Sequence, residues 1–201
     1  MADLRELQTA HGDDPAAFAR GYLDYLAGVL KELDPAPIAD FIRLLEKIRQ
    51  ERGTLFFIGN GGSAATASHF ANDLSVGLRS DPPLRALSLT DNVAIMTAVG
   101  NDEGYHRIFL DQLKTHYRPG DALVAISASG NSPNVINAVA WAQEQGAEVV
   151  GITGFDGGKL AGLSTINVHV FCPKGEYGPV EDIHMIVDHL VHAFLTRNNP
   201  R

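Results

Sequence analysis

The sequence of 201 residues predicts an α/β fold, a three-layer αβα sandwich around a five-stranded parallel sheet. Five short segments are predominantly apolar, which is typical of strands buried on both faces of a sheet. Helical patterns separate these segments, and strands that alternate with helices form a parallel sheet through β-α-β crossovers. The predicted strands cover residues 54–59, 84–90, 121–127, 147–153 and 166–172.

The helical patterns of this α/β core lie at about 63–77, 91–99, 104–117, 132–145 and 156–162. Two further helices precede the sheet, at about 15–32 and 36–51, and form a predicted N-terminal helical hairpin. Asp14 followed by Pro15 indicates a helix start, because proline is favoured at the first helical position. A long helix at about 179–197 follows the last strand.

The helices at the two ends of the chain bear on domain organisation. We expect residues 1–52 to be an N-terminal helical segment that serves oligomerisation, and residues 53–201 to be the α/β domain. The two parts form effectively one structural unit. The apolar faces of the hairpin and of the last helix exceed what one sheet needs for cover, which favours a helical bundle shared between subunits. The alternative is that these helices fold back on their own sheet.

Composition excludes several classes of protein. The chain is 45% hydrophobic and 20% charged, which is ordinary for a soluble globular protein. Its formal net charge of −8 opposes a broad nucleic-acid surface, which needs clustered Lys and Arg. No secretory signal and no apolar run of the roughly 20 residues that span a membrane is present, so no membrane partner is expected. The single cysteine, Cys172, excludes an intrachain disulfide and suits the cytoplasm.

Two loops with matching chemistry follow the first and third predicted strands: GNGGS at 59–63 and SASGNS at 127–132. Both carry glycines that let the backbone approach a ligand, and both open into a predicted helix, whose first N–H groups favour phosphate. Neither loop has the lysine of a P-loop or the three glycines of a dinucleotide fingerprint. The pattern therefore indicates a phosphate that is held rather than transferred.

Histidines and carboxylates recur on two of the predicted helices. His69 and Asp73 are four residues apart and share one face of the helix after the first loop. The last helix offers Glu181, Asp182, His184, Asp188, His189 and His192. A set of two imidazoles and two carboxylates suits a divalent ion, and zinc fits this donor set best. A single His beside an acid is usually a surface pair, so spacing leaves both interpretations open.

Three segments identify a resemblance to a known family: GNGGSAATASHFANDL, VGND and ISASGNSPNVINAV. They resemble the sugar isomerase (SIS) domain, and within it the phosphoheptose isomerases, from about residue 14 to 196. The resemblance implies an aldose–ketose isomerase that interconverts sedoheptulose 7-phosphate and D-glycero-D-manno-heptose 7-phosphate through a metal-stabilised enediolate. It also implies a homotetramer with active sites between subunits, and a cytoplasmic role in making heptose for surface polysaccharide such as lipopolysaccharide.

The resemblance assigns roles to individual residues. It implies that zinc is bound by His69, Asp73, Glu181 and His189, and that Asp73 and His189 exchange the proton between the two carbons. The implied substrate-binding residues are Asn60, Gly61, Gly62, Ser63, Asn101, Asp102, Ser127, Ala128, Ser129, Ser132 and Glu181.

Three positions depart from the family pattern. Asp73 stands where Glu is usual, and the shorter side chain withdraws the carboxylate by roughly 1–1.5 Å, a displacement large enough to affect catalysis. Glu181 stands where Gln is usual, and Ala128 removes a hydroxyl from the second loop.

Two alternatives stay open from these residues. One is a non-catalytic SIS protein, like the tetrameric factor that binds the bacterial replication initiator, or a sensor of a sugar phosphate. Such a protein does not need a His/carboxylate set, so the acids and histidines at all four positions favour an enzyme. The other is an isomerase for a different sugar phosphate, which the departures at 73 and 181 keep open. For Asn101 and Asp102, a polar turn with Asp102 as a helix N-cap is the alternative to a substrate role.

Overall fold

The computed structural model describes residues 3–197 and contains the predicted five-stranded sheet. Every neighbouring pair of strands is parallel, and the strand order is β2-β1-β3-β4-β5. The strands are β1 (Thr54–Gly59), β2 (Arg85–Ser88), β3 (Ala122–Ser127), β4 (Glu148–Gly154) and β5 (Ile166–Val170). The predicted positions of all five strands are confirmed, with β2 shorter than expected.

Helices cover both faces of the sheet, which confirms the three-layer sandwich. They are α1 (Leu4–His11), α2 (Pro15–Lys31), α3 (Pro35–Glu51), α4 (Gly62–Asn72), α5 (Val93–Asp102), α6 (Leu110–His116), α7 (Pro133–Glu144), α8 (Gly158–Leu163) and α9 (Tyr177–Leu195). Helices α3, α4 and α9 share one hydrophobic cluster with one face of the sheet. Helices α6, α7 and α8 share a second cluster with the other face. Among the residues described, no helix is both long and apolar enough to span a membrane.

Alternating side chains of the strands feed these two clusters. In β1, Leu55 and Phe57 belong to the first cluster, whereas Phe56 and Ile58 belong to the second. This alternation follows from the two-residue period of a strand. All four side chains are buried, which explains why the segment is apolar throughout and gives no alternating pattern.

The N-terminal segment has three helices rather than the predicted two. Helix α1 was not predicted; its start is fixed by a capping box, in which the Asp3 side chain accepts from the Glu6 backbone N–H and the Glu6 side chain accepts from the Asp3 N–H. Helix α2 packs mainly against α1, whereas α3 packs on the sheet. The simple two-helix hairpin is therefore corrected to a three-helix segment in which α3 covers the sheet of its own chain.

Two of the predicted core helices also differ in form. The helix expected at 63–77 is α4 followed by a π-helical turn at Asp73–Gly77. The helix expected at 104–117 is a 3₁₀ turn at Tyr105–Arg107 followed by the short α6. The predicted last helix ends at Leu195, and the final residues of the expected α/β domain, 198–201, lie outside the described part of the chain.

The strand order places the two glycine- and serine-rich loops side by side. The chain leaves β1 toward β2 on one side, and β3 lies on the other side of β1. Ligands of open α/β sheets bind at such a switch point, beyond the carboxyl ends of the strands. The loops after β1 and β3 flank this point.

Candidate active site

A pocket of about 140 Å³ lies at the switch point, between the two loops. It is lined by Asn60, Ser63, Ile126, Ser127, Ala128, Ser129, Ser132, Tyr177 and Glu181. The residues from 60 to 63 come from the loop after β1 and the start of α4, those from 126 to 132 from the end of β3 and the loop after it, and the last two from the first turns of α9. We call this the serine pocket. A larger pocket of about 340 Å³ is lined by Arg52, Arg85 and Arg118, near the amino ends of the strands. None of the predicted site residues lines it.

Two glycines shape the loops around the serine pocket. Gly61 has φ +55° and ψ −124°, a conformation that side-chain-bearing residues avoid, and it lets α4 begin immediately after the strand. Gly130 has φ +61°, and its N–H donates to the backbone oxygen and to Oγ of Ser127, both at 3.1 Å. The turn therefore holds Ser127 in a fixed position beside the pocket.

Two asparagines tie the loops together. Asn60 Nδ2 donates to Asn134 Oδ1 at 2.9 Å, and Asn134 Nδ2 donates back to Asn60 Oδ1 at 2.8 Å. Tyr105 OH also donates to Asn60 Oδ1, at 2.9 Å. Asn134 and Tyr105 were not predicted as site residues, although Asn134 lies within the segment ISASGNSPNVINAV that carries the family resemblance.

Glu181 belongs to the serine pocket. Its carboxylate lies against the start of α4, so that a Cβ placed on Gly62 would come within 2.2 Å of Glu181 Oε2. Burial, and then the neighbouring charge of Asp182, raise the pKa of Glu181. Tyr177, one turn earlier on α9, also lines the pocket and is not among the predicted site residues.

Four other titratable side chains form a separate cluster between α4 and α9. Each of His69, Asp73, Asp188 and His189 has a ligand atom within 4.8 Å of the others. Nε2 of His69 lies 3.2 Å from Nε2 of His189, 3.6 Å from Asp73 Oδ2 and 3.8 Å from Asp188 Oδ2. The structure thus brings together three of the four predicted metal ligands, and the fourth member is Asp188 rather than Glu181.

Asp188 is the buried member of this cluster. Its side chain is 0% exposed, and neither carboxylate oxygen has a hydrogen-bond partner among the described residues. Burial, followed by the charge of Asp73, raises the pKa of Asp188 to about 7. A buried carboxylate without partners is unfavourable unless a cation neutralises it.

The π-helical turn begins at Asp73. Such turns widen the helix locally and occur frequently at functional sites. Oδ1 of Asp73 accepts from Asn72 Nδ2 at 2.9 Å, which leaves Oδ2 directed at His69. The shorter side chain at this position therefore still reaches the histidine pair.

A divalent ion fits the cluster. Ligand atoms about 2.0–2.1 Å from a tetrahedral ion lie about 3.3 Å from one another, close to the separations around His69. The two imidazoles face each other through Nε2, which also suits a shared cation, because an unprotonated ring nitrogen offers a lone pair. The donor set of two imidazoles and two carboxylates is one that zinc accepts.

Asn101 and Asp102 lie apart from the pocket lining. They are the exposed last two residues of α5, and Asn101 Nδ2 donates to Asp102 Oδ1 at 2.7 Å. The alternative interpretation, a turn with Asp102 as an N-cap, is wrong, because α5 continues through both residues. Their substrate role stays a prediction.

Comparisons with known proteins place this geometry in a family. A model of the SIS domain matches residues 18–154. The phosphoheptose isomerase of Rhodospirillum rubrum is 42% identical over 160 residues, which cover 79% of this chain and 84% of the relative. That of Bordetella avium is 35% identical over 189 residues, 93% of this chain and 92% of the relative.

A solved structure agrees with both relatives. The phosphoheptose isomerase of Neisseria gonorrhoeae superposes with a TM-score of 0.80 at 31% identity, covering 89% of this chain and 97% of that one. The chain therefore belongs to the SIS domain family and, within it, to the phosphoheptose isomerases.

Proposed function

We propose that the protein interconverts sedoheptulose 7-phosphate and D-glycero-D-manno-heptose 7-phosphate. The carrying observation is that a serine-lined pocket and a His/carboxylate cluster lie along the same pair of helices, α4 and α9. A sugar phosphate needs both, one to hold its phosphate and one to act on its carbonyl end. The names of relatives that align over most of the chain support the same reaction.

In this proposal the serine pocket holds the phosphate. Ser127, Ser129 and Ser132 offer hydroxyls, and the N-terminus of α7, which begins at Pro133, adds the partial positive charge of a helix dipole. The backbone at Ala128 remains although its side chain has no hydroxyl. Asn60, Gly61, Gly62 and Ser63 line the sugar, and Asn101 and Asp102 complete the substrate-binding set. The phosphate is not transferred, so no lysine or magnesium is needed at this loop.

The chemical step moves a proton between C1 and C2. Aldose–ketose isomerisation needs a base at the carbon and an acid at the oxygen. We assign these roles to Asp73 and His189, which lie in one cluster on facing helices. A zinc ion held by His69 and its neighbours would polarise the carbonyl and stabilise negative charge on the enediolate.

We further propose a homotetramer with active sites between subunits. Helix α5 has no buried residue although it is apolar, and Val93 at its start is 70% exposed. Leu190 and Phe194 of α9 are also exposed, beside the His/carboxylate cluster. Residues 1–52 are proposed to contribute to this assembly, and light scattering of the purified chain measures its size. A monomer would contradict this part of the proposal.

The pathway follows from the product. A heptose phosphate made in the cytoplasm supplies surface polysaccharide, and the single cysteine, Cys172, buried and unpaired, suits that compartment.

A direct test is to incubate the purified protein with sedoheptulose 7-phosphate, with zinc and with a chelator, and to follow the product by NMR. We expect turnover with zinc that the chelator removes, and loss of turnover in Asp73→Asn. Absence of turnover under every metal condition would contradict the assigned reaction. Turnover of another ketose phosphate instead would identify the isomerase for a different sugar.

A further inference from the structure

Helices α4 and α9 run side by side in the same direction, so side chains of the two helices meet at two different heights along the helix axes. Gly62 at the start of α4 contacts Glu181, and His69 farther along α4 contacts His189. A helix rises 1.5 Å per residue, so the seven residues from Glu181 to Asp188 correspond to about 10 Å along α9. The two carboxylates therefore serve different places, although both project toward α4.

Asp188 lies at the height of the histidines. Its Oδ2 is 3.8 Å from His69 Nε2, and its two oxygens are buried without hydrogen-bond donors among residues 3–197. A carboxylate only accepts hydrogen bonds, so a buried one needs donors or a cation. Within 4.8 Å of it lie ligand atoms of His69, Asp73 and His189, all of which are metal ligands by type.

Glu181 lies at the height of the serine pocket. Its carboxylate rests on Gly62, at a point where any larger residue would collide with it. The neighbouring lining groups are hydroxyls and an amide, which suit a polyhydroxylated ligand. A carboxylate there accepts charge-assisted hydrogen bonds from sugar hydroxyls.

We propose that the two acids divide roles that a single residue fills in the family pattern. Asp188 is the fourth metal ligand of this chain, with His69, Asp73 and His189. Glu181 is released from the metal and becomes a substrate-specificity residue that binds sugar hydroxyls next to the phosphate. The role of Glu181 rests on the proposed isomerase function, whereas the role of Asp188 does not.

Two variants of matched size separate the roles: Asp188→Asn and Glu181→Gln. Each replaces a carboxylate by an amide of the same shape. The full-length protein is stripped with a chelator, and zinc affinity is measured by competition with a chromogenic chelator, with stoichiometry from elemental analysis. We expect Asp188→Asn to bind zinc more than about 10-fold more weakly, since even loss of an outer-shell partner costs that much. Glu181→Gln should keep the wild-type affinity.

The opposite pattern would overturn the assignment. Wild-type zinc affinity in Asp188→Asn, or a large loss in Glu181→Gln, would show that Glu181, from the same or another subunit, is the ligand. Folding of Asp188→Asn is checked by its melting temperature without metal.

The role of Glu181 is tested by kinetics on the zinc-loaded enzyme. In Glu181→Gln we expect KM for sedoheptulose 7-phosphate to rise on the order of tenfold with kcat little changed, because a charge-assisted hydrogen bond becomes a neutral one. An unchanged KM would refute the specificity role. If the wild-type protein binds zinc but turns over no sugar, the proposed function fails, while the zinc titration still decides which acid is the ligand.

Discussion

The turn at Gly130 gives the sharpest test of how the serine pocket is built. Gly130 has φ +61°, and a Cβ there would lie 2.0 Å from the backbone oxygen of Gly157. The Gly157 oxygen belongs to the backbone, and the Gly130 oxygen accepts from Leu160 N at 2.9 Å. Neither the loop at Gly130 nor the one at Gly157 can therefore move away freely. Gly130→Ala must therefore distort the loop that carries Ser127.

The magnitude follows from two separate costs. A left-handed conformation costs an alanine roughly 1–2 kcal/mol. Forcing extra volume into a filled space adds about 1–3 kcal/mol. We expect a total loss of about 2–5 kcal/mol in the free energy of unfolding. At about 2–4 °C per kcal/mol this lowers Tm by roughly 4–20 °C.

Gly146→Ala is the matched control. Gly146 has φ +76°, and a Cβ there would meet no atom within 4 Å. The alanine variant therefore incurs only the conformational cost of about 1–2 kcal/mol, and the serine pocket is unchanged. Urea unfolding gives both free energies, and KM for the sugar phosphate reports the loop. If Gly130→Ala is no more destabilising than Gly146→Ala and its KM is unchanged, the contact between the two loops does not shape the pocket.

Three further predictions concern groups outside that turn. Burial lowers the pKa of His184 to about 4, so the unfolded chain takes up a proton first as the pH falls from 6.5. About 3 kcal/mol of stability is then lost by pH 4, and in urea unfolding the His184→Gln variant should lack this loss. Burial raises the pKa of the Cys172 thiol to about 11, so iodoacetamide at pH 8 should leave the native protein unlabelled by mass spectrometry, and rapid labelling would contradict its buried state. Zinc at 100 times its dissociation constant should stabilise the apo protein by about 2.7 kcal/mol, and an unchanged Tm on adding zinc would refute a metal site.

The fold could be predicted from the sequence because buried parallel strands leave an unmistakable pattern. The runs 55–58 and 122–126 have no polar position, since helices cover them on both sides. Their order in the sheet was not predicted, although the loops that flank the switch point were identified from glycines and serines alone. The glycines and serines of the two loops were therefore enough to predict the pocket, without knowledge of which strands are neighbours in the sheet.

Helix α1 was missed because burial contributes little to it. Only Leu7 is buried, so no apolar stripe marks the segment. Its signal is local instead, an Asp followed three residues later by Glu, which is the pattern of a capping box. The π-helical turn at Asp73 has no such signal, because it depends on how α4 packs against its neighbours.

Asp188, and not the predicted Glu181, is the fourth member of the His/carboxylate cluster, which shows what a helical wheel leaves out. Both residues lie on one stripe of α9, and angular position alone makes them equivalent. Height along the axis separates them by two turns, and only the partner helix shows which height carries the histidines. The resemblance to the family supplied Glu181, whereas the structure adds a second carboxylate where the imidazoles meet.

The two heights also explain why one pair of helices can serve one elongated substrate. The loop before α4 and the start of α9 meet at the serine pocket, and the same helices bring His69 and His189 to 3.2 Å two turns later. An extended sugar phosphate places its anionic group and its carbonyl at opposite ends, so a site with matching ends selects for length as well as charge. Because the spacing is fixed by helical rise and not by loops, it is insensitive to changes in the surrounding turns. In the proposed site, Asp73 and Asp188 both lie at the histidine end, so a change of metal geometry would act there without disturbing phosphate binding.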